Sequence, residues 1–271
     1  MKPRPFDYAR PDTVEEVLAL LADYGDDARI LAGGQSLVPM LNLRLIDPEM
    51  LIDISRITTL DRIDDRGGFI EIGAAVTQNK LLAWPNLAQK LPLLAAALPF
   101  VGHFQTRNKG TVCGSIAHAD PSAELPLTLA VCEGAVVLKS KRGERVLAAD
   151  AFQKDMLTTA RAADELVAAV RFPVIEGKGV AFDEVARRHG DFAIVSLAAL
   201  ADARGAVTLG VGGMSGRPLV RAIDADAAGA VSEWAEELEG YEDLHASAAL
   251  RRDLLRNLGP RVIAEAIRCA A

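Results

Sequence analysis

Two glycine-rich segments constrain this chain more than anything else in it. Leu31-Ala-Gly-Gly-Gln-Ser-Leu37 follows a short apolar run, and Gly110-Thr-Val-Cys-Gly-Ser115 leads into Ile116-Ala-His-Ala-Asp-Pro-Ser-Ala-Glu-Leu-Pro126. Glycine lets peptide N–H groups turn inward and lets a ligand approach without a Cβ in the way. Ser and Thr add hydroxyl donors, and loops of this composition suit a phosphate or pyrophosphate. No lysine stands in the first segment, so its donors would be mainly backbone. Two adjacent glycines after a strand also make an ordinary tight turn, and the first segment alone does not separate these readings. A second segment of the same chemistry favours a ligand, because a diphosphate has two faces to satisfy.

Other nucleotide and catalytic signatures are missing. There is no Gly-x-x-x-x-Gly-Lys-Ser/Thr loop and no Gly-x-Ser-x-Gly elbow. Gly210-Val-Gly-Gly-Met-Ser-Gly216 is only loosely like a dinucleotide fingerprint, and Arg217-Pro218 after it opens no helix. It reads as a strand end and turn. Cys113, Cys132 and Cys269 have no C-x-x-C spacing and are odd in number, which fits reduced thiols in a cytoplasmic protein. Three scattered cysteines cannot ligate an iron–sulfur cluster. The four histidines, His103, His118, His189 and His245, lack partners at metal-ligand spacing, so no metal site is assigned. His118, inside the second segment, either faces a ligand or serves the structure. Arg187-Arg-His-Gly-Asp-Phe192 reads as a solvated salt-bridge set or as a functional cluster.

Charge narrows the partners. Lys and Arg total 30 against 37 Asp and Glu, a net −7, which weighs against nucleic acid and anionic membrane, since both call for clustered positive charge. The opening Met1-Lys-Pro-Arg-Pro-Phe lacks the apolar core of a signal peptide, and no apolar run is long enough to span a membrane. A soluble cytoplasmic chain is expected.

Pattern and punctuation predict α+β architecture without a regular βαβ array. Thr13 and Glu16 form a capping box for a helix that stops at Gly25. Strands at 29–32 and 51–54 join it in a small β-α-β unit over residues 1–57. Residues 60–63 and 69–73 flank a turn at Asp64-Asp-Arg-Gly-Gly68, and helices follow over 77–84 and 87–98, the second interrupted near Pro92. Strands pair at 135–140 and 145–148, and another runs over 166–172. After a connection at 174–179, strands at 195–201 and 206–211 form a hairpin about Arg204-Gly205. Helices are expected over 225–238 and 243–258, with a third opened by Pro260 at its first position.

Ala32-Gly-Gly-Gln-Ser36 and Thr111-Val-Cys-Gly-Ser115 resemble the two flavin-contacting motifs of the FAD-binding medium subunit of molybdenum hydroxylases, the carbon monoxide dehydrogenase and xanthine dehydrogenase family. Phe6-Asp-Tyr8, Leu43-Arg-Leu45, Ile52-Asp-Ile54, Arg107-Asn-Lys-Gly110, Ala117–Pro126 and Ala186–Ala193 are also similar, so the resemblance spans essentially the whole chain. It implies an FAD domain of the vanillyl-alcohol oxidase type in two subdomains, residues 1–57 and 58–175. A C-terminal domain of a small antiparallel sheet and helices, residues 176–271, would follow.

By the same resemblance the first motif, Ala32, Gly33, Gly34, Gln35 and Ser36, and the second, Thr111, Val112, Cys113, Gly114 and Ser115, hold the FAD diphosphate. Arg29, Ile30 and Leu31 lead into the first motif. Val101, His118, Asp120, Glu124 and Leu166 are expected nearby. Cys113 departs from the family's Thr-Ile-Gly-Gly, so its side chain either turns away from the diphosphate or faces it as a small thiol. Asp183 stands where some relatives carry a lysine, and that contact does not carry over.

The implied activity is electron transfer. A molybdenum-cofactor large subunit oxidises the substrate, a small subunit with [2Fe–2S] clusters relays electrons, and the FAD here passes them to NAD or a quinone-type acceptor. No general acid or base is assigned. Two alternatives stay open: a self-sufficient FAD-dependent oxidoreductase of a small molecule, and a flavin-free assembly subunit, for which Cys113 is the one sequence argument.

Overall fold

The computed structural model describes residues 2–223 and 227–270. Near the N-terminus β1 (Asp7–Ala9) pairs in parallel with β3 (Met50–Asp53), and so does β2 (Ala28–Leu31). Between β1 and β2 runs α1 (Val14–Tyr24). Its capping box is formed: Glu16 N–H donates to Thr13 Oγ1 at 3.2 Å and Thr13 N–H to Glu16 Oε2 at 3.3 Å. Val17 and Leu21, one turn apart, are its buried residues. The short α2 (Leu37–Asn42) connects β2 to β3.

A five-stranded antiparallel sheet follows, its strands lying side by side in the order 63–65, 69–73, 166–173, 135–140 and 143–148. β4 (Ile63–Asp65) and β5 (Phe69–Gly73) form the expected hairpin, although residues 58–60 are a 3₁₀ turn rather than the start of a strand. Helices α3 (Gln78–Leu82), α4 (Leu87–Lys90), α5 (Pro92–Ala97) and α6 (Phe104–Arg107) come next, with the break at Pro92 as expected. The second glycine segment is not a loop. Thr111 caps α7 (Val112–His118), and α8 (Glu124–Val131) follows after a left-handed Ala119. β6 (Ala135–Ser140), β7 (Gly143–Ala148), the turn α9 (Ala149–Phe152) and the small hairpin of β8 (Gln153–Asp155) and β9 (Thr158–Thr159) lead to the central β10 (Leu166–Pro173). One hydrophobic cluster joins the first two sheets and their helices.

The third sheet is antiparallel: β11 (Gly179–Val185), β12 (Val195–Ala201), β13 (Val207–Gly212) and β14 (Leu219–Ile223). Against it lie α10 (Ala227–Glu237) and α11 (Ala248–Cys269), around a second hydrophobic cluster. The expected helix start at Ala225 falls outside the described residues.

Two expectations for the end of the chain are corrected. Residues 243–247 form a turn in which Asp243 Oδ1 accepts the N–H groups of His245 and Ala246, and α11 begins only after its cap at Ser247. Pro260 opens no helix. It lies inside the 22-residue α11, where a proline removes one backbone hydrogen bond. The helix continues because both sides of the proline are fixed: Gly259 packs so closely on α10 that an added Cβ would be 2.7 Å from Val231 Cγ1. Leu255, Leu258, Val262, Ile263 and Ala266 bury the same face through the proline.

Candidate functional site

A cavity of about 660 Å³ opens where β2, α7, the entry to β10 and the loop before β12 converge. That volume lies within the ordinary range for small-molecule and cofactor sites. The first glycine turn forms one wall. Gly34 has φ +69°, a conformation that glycine adopts freely. Gly33 meets the second segment directly, since a Cβ there would lie 2.1 Å from the Lys109 carbonyl oxygen. The N–H groups of Gly33, Gly34, Gln35 and Ser36 donate to no protein acceptor among the described residues. Half-buried amides such as those of Gly33, Gly34 and Ser36 normally find a partner, and with the exposed Gln35 N–H between them they make a run of free donors beside the cavity that suits an anion. The Gln35 side chain turns back on its own loop, Nε2 donating to the Gly33 carbonyl at 3.2 Å.

The second segment contributes differently from expectation. Thr111 Oγ1 accepts the Gly114 N–H at 2.9 Å, and Val112 N–H donates to Val76 O at 3.1 Å. Those two amides are spent inside the protein, capping α7 and tying it to the strand exit, where Gln78 N–H also donates to Gly110 O at 2.8 Å. Cys113 resolves as the residue turned away: its Sγ donates to the Ile72 carbonyl of β5 at 3.4 Å, and burial pushes its thiol well above the ordinary range.

Of the residues expected from sequence, Arg29, Ile30, Ala32, Gly33, Gly34, Gln35, Ser36, Val101, Thr111, Cys113, Gly114, Ser115, His118, Asp120, Glu124 and Leu166 border the cavity. Leu31 and Val112 do not. Leu31 points beneath the turn, near where a Gly34 Cβ would lie, and Val112 is fully buried in the core.

The acidic groups in the wall and beside it are electrostatically unusual. Glu124 is 5% exposed, and burial, with Asp120 adding to it, raises its carboxyl to about 7. Glu184, on β11, is raised to about 8 by burial and by the charges of Glu124 and Asp183, and its Oε2 has no hydrogen-bond partner. Burial lowers His118 against the opposing pull of Asp120.

Sequence reasoning passed over Gln78 and Arg161, which also line the cavity. Neither carries a motif, and only the tertiary fold brings them there. The 187–192 cluster answers to both of its readings. Arg187 and Arg188 pair with Asp191 at 3.8 and 3.1 Å, while Gly190, Asp191 and Phe192 border the cavity. Among the described residues, no group of three or more His, Cys, Asp and Glu is placed to hold a metal ion, and no helix is long and apolar enough to cross a membrane.

Comparison with known proteins agrees with this geometry. The family model described as the FAD binding domain in molybdopterin dehydrogenase matches residues 4–175. The alpha subunit of the 6-hydroxypseudooxynicotine dehydrogenase complex of Paenarthrobacter nicotinovorans is 38% identical over 284 residues, spanning 98% of this chain and 96% of that protein. The carbon monoxide dehydrogenase medium chain of Hydrogenophaga pseudoflava is 39% identical over 199 residues, 73% of this chain and 69% of the relative. A carbon monoxide dehydrogenase structure from Hydrogenophaga pseudoflava superposes with a TM-score of 0.95 at 31% identity, over 100% of both chains. A cavity edged by unpaired amides, in a chain with these relatives, has one family to which it answers: this chain belongs to the FAD-binding medium subunits of the molybdenum hydroxylases, flavoprotein components of oxidoreductase complexes.

Proposed function

We propose that this chain is the flavin relay of a three-subunit molybdenum hydroxylase. Electrons would arrive from the [2Fe–2S] clusters of a small subunit, supplied in turn by a molybdenum-cofactor large subunit, and leave for NAD or a quinone-type acceptor. The observation that carries the reading is the run of free N–H groups at residues 33–36, packed against Lys109 and Gly110 at the cavity wall. The bound flavin supplies the redox chemistry, taking electrons singly and releasing them in pairs.

What the chain supplies is position and electrostatics. The amides at 33–36 would hold the diphosphate, and Thr111 holds α7 so that Gly114 and Ser115 border the same space. Glu124, its carboxyl raised to about 7 by burial, is a buried group on the wall suited to holding a proton. Val101 and Leu166 provide apolar surface. Residues 1–57 and 58–175 would act as the two FAD subdomains and 176–271 as the C-terminal domain, in a cytoplasmic complex. The flavin-free alternative loses its sequence argument, because the Cys113 thiol is turned to Ile72.

Two measurements test this. The purified chain should show flavin absorbance near about 370 and 450 nm, with one FAD released per chain. Isolation from native cells should bring two companion chains, one with molybdenum and one with iron–sulfur absorbance. A colourless chain that takes up no FAD, or a flavoprotein that turns over a substrate alone, would refute it.

A further inference from the structure

Arg161 is fixed to the protein by one nitrogen. Its Nη1 donates to the carbonyl oxygens of Ala162 at 3.0 Å, Ala163 at 3.2 Å and Glu165 at 2.8 Å. Arg29 is held likewise, its Nη1 donating to the carbonyls of Asp26 at 2.7 Å and Ala28 at 2.8 Å. The two guanidinium groups lie close enough that Arg29 adds to burial in lowering the Arg161 pKa. Neither forms an ion pair among the described residues. The acid beside them, Glu165, is already held by Arg145, Nε to Oε1 at 2.6 Å and Nη2 to Oε2 at 2.7 Å.

Both arginines line the cavity. Each therefore brings to the wall a positive charge with no carboxylate in direct contact, offset only at longer range for Arg161 by Asp26, Glu165 and Asp164, together with a flat face and an Nε–Nη2 edge that no protein group uses. Like charges held together destabilise one another until an electron-rich or anionic group lies between or upon them. A guanidinium plane stacks on a purine ring, and its free edge donates to ring nitrogens or phosphate oxygens. The wall at Val101, Gly102 and Gly190–Phe192 is of another kind. There Phe192 is 61% exposed and the neighbouring Phe104 60%, which suits a ring that exchanges electrons with an outside partner.

We propose that Arg161, together with Arg29, forms the subsite for the adenosine end of the dinucleotide, and that this subsite makes the chain select FAD over FMN. The inference rests on the FAD reading above and assigns to Arg161 a role that no motif in the chain indicates.

Apoprotein freed of flavin tests it, titrated with FAD and FMN by fluorescence and with ADP by calorimetry. Arg161→Met keeps the length of the side chain and removes its charge and plane. It should weaken FAD and ADP by a common factor of about tenfold or more while leaving FMN unchanged. Arg161→Lys should recover only part of that loss, since a lysine restores charge without the planar edge. Equal losses for FMN and FAD would place Arg161 elsewhere on the ligand and overturn the proposal, as would unchanged FAD affinity. If the thermal transition shows that Arg161→Met does not fold, Arg161→Lys decides alone: ADP weakened with FMN unchanged supports the subsite, and equal losses overturn it. Wild-type apoprotein with no affinity for FAD removes the flavoprotein reading itself. Normal wild-type affinity with indifferent variants removes only the arginine subsite.

Discussion

Gly33 and Gly110 meet backbone to backbone: a Cβ built on Gly33 would stand 2.7 Å from the Gly110 Cα. The contact joins the end of β2 to the approach of α7, two places far apart in the chain. It sets how closely the unpaired amides of residues 33–36 face the capped start of that helix.

Gly33→Ala should therefore abolish flavin retention. The obstructing atoms are backbone, the Lys109 carbonyl oxygen and the Gly110 Cα, and no side-chain rotamer relieves them. The cost should be roughly 1–3 kcal/mol of stability, the range for overpacking. Gly34→Ala is the comparison: its strain comes from φ +69°, worth about 1–2 kcal/mol. Flavin content after gel filtration and thermal unfolding of both variants check the ordering. Full flavin occupancy in Gly33→Ala would contradict the contact.

How much of this was legible beforehand depended on whether the determinant was local. The capping box of α1 lies within four residues and was readable as written, and the turn after β2 announced itself through Gly33-Gly34. The start of α7 was not readable, because the glycine and serine after Thr111 suggest a loop when the tertiary bonds from Val112 to Val76 and from Gln78 to Gly110 are unknown. β1 has only three residues and too little periodicity to register. Pro260 misled for a similar reason: local propensity says boundary, while packing on Val231 carries the helix through. Arg161 reached the cavity entirely by tertiary placement.

The thiols should differ sharply in reactivity. Cys113 and Cys132 are buried and burial raises both, Cys132 to about 12, whereas Cys269 is exposed. Thiolate is the reacting species, so one of the three thiols should label rapidly in the native protein and all three after denaturation. Cys113→Gly should keep the flavin, because the thiol is turned away from the cavity, but lose about 1 kcal/mol or more from the added backbone freedom and the void left by the buried side chain. Fast labelling of two thiols in the native state would contradict the placement of Cys113.

Stability should fall on the alkaline side through Glu184 and Glu124. Both carboxyls are raised from 4.5, to about 8 and about 7. The native protein then holds protons that the unfolded chain has released, and the stability present below the unfolded pKa is lost as pH rises through the folded value. The melting temperature should decline between about pH 5 and 8, and Glu184→Gln, which stays neutral, should flatten the decline. A profile identical to wild type in Glu184→Gln would show that the Glu184 carboxyl is ionised in the fold.

Arg251 should prove the most costly side chain to remove. It is 1% exposed, and its Nη1 donates to the carbonyls of Ile194 and Gly213, the latter at 2.8 Å, while Nη2 meets Asp243 Oδ2 at 2.6 Å. Its guanidinium carbon also lies 4.1 Å from the centre of the Tyr241 ring, a cation–π contact. Ile194 closes the base of the loop that brings Phe192 to the cavity, through its N–H to the Val185 carbonyl at 2.7 Å. Gly213 N–H holds the Pro121 carbonyl at 2.9 Å, next to Asp120. Arg251→Met leaves the half-buried Ile194 carbonyl and the buried Gly213 carbonyl without this donor, and the expected loss is roughly 2–6 kcal/mol, about 1–3 for each. Asp243→Asn should cost less, because the two backbone carbonyls keep their donor. It should also remove an acid-side dependence: burial opposes ionisation of Asp243, but N–H groups from His245 and Ala246 and the Arg251 charge outweigh it and hold the carboxyl below its ordinary value. That contribution is present above the unfolded pKa and fades as pH falls through the folded one. Urea unfolding of wild type and both variants at pH 7 and pH 4 separates the effects, and an Arg251→Met variant as stable as wild type would refute the anchoring role.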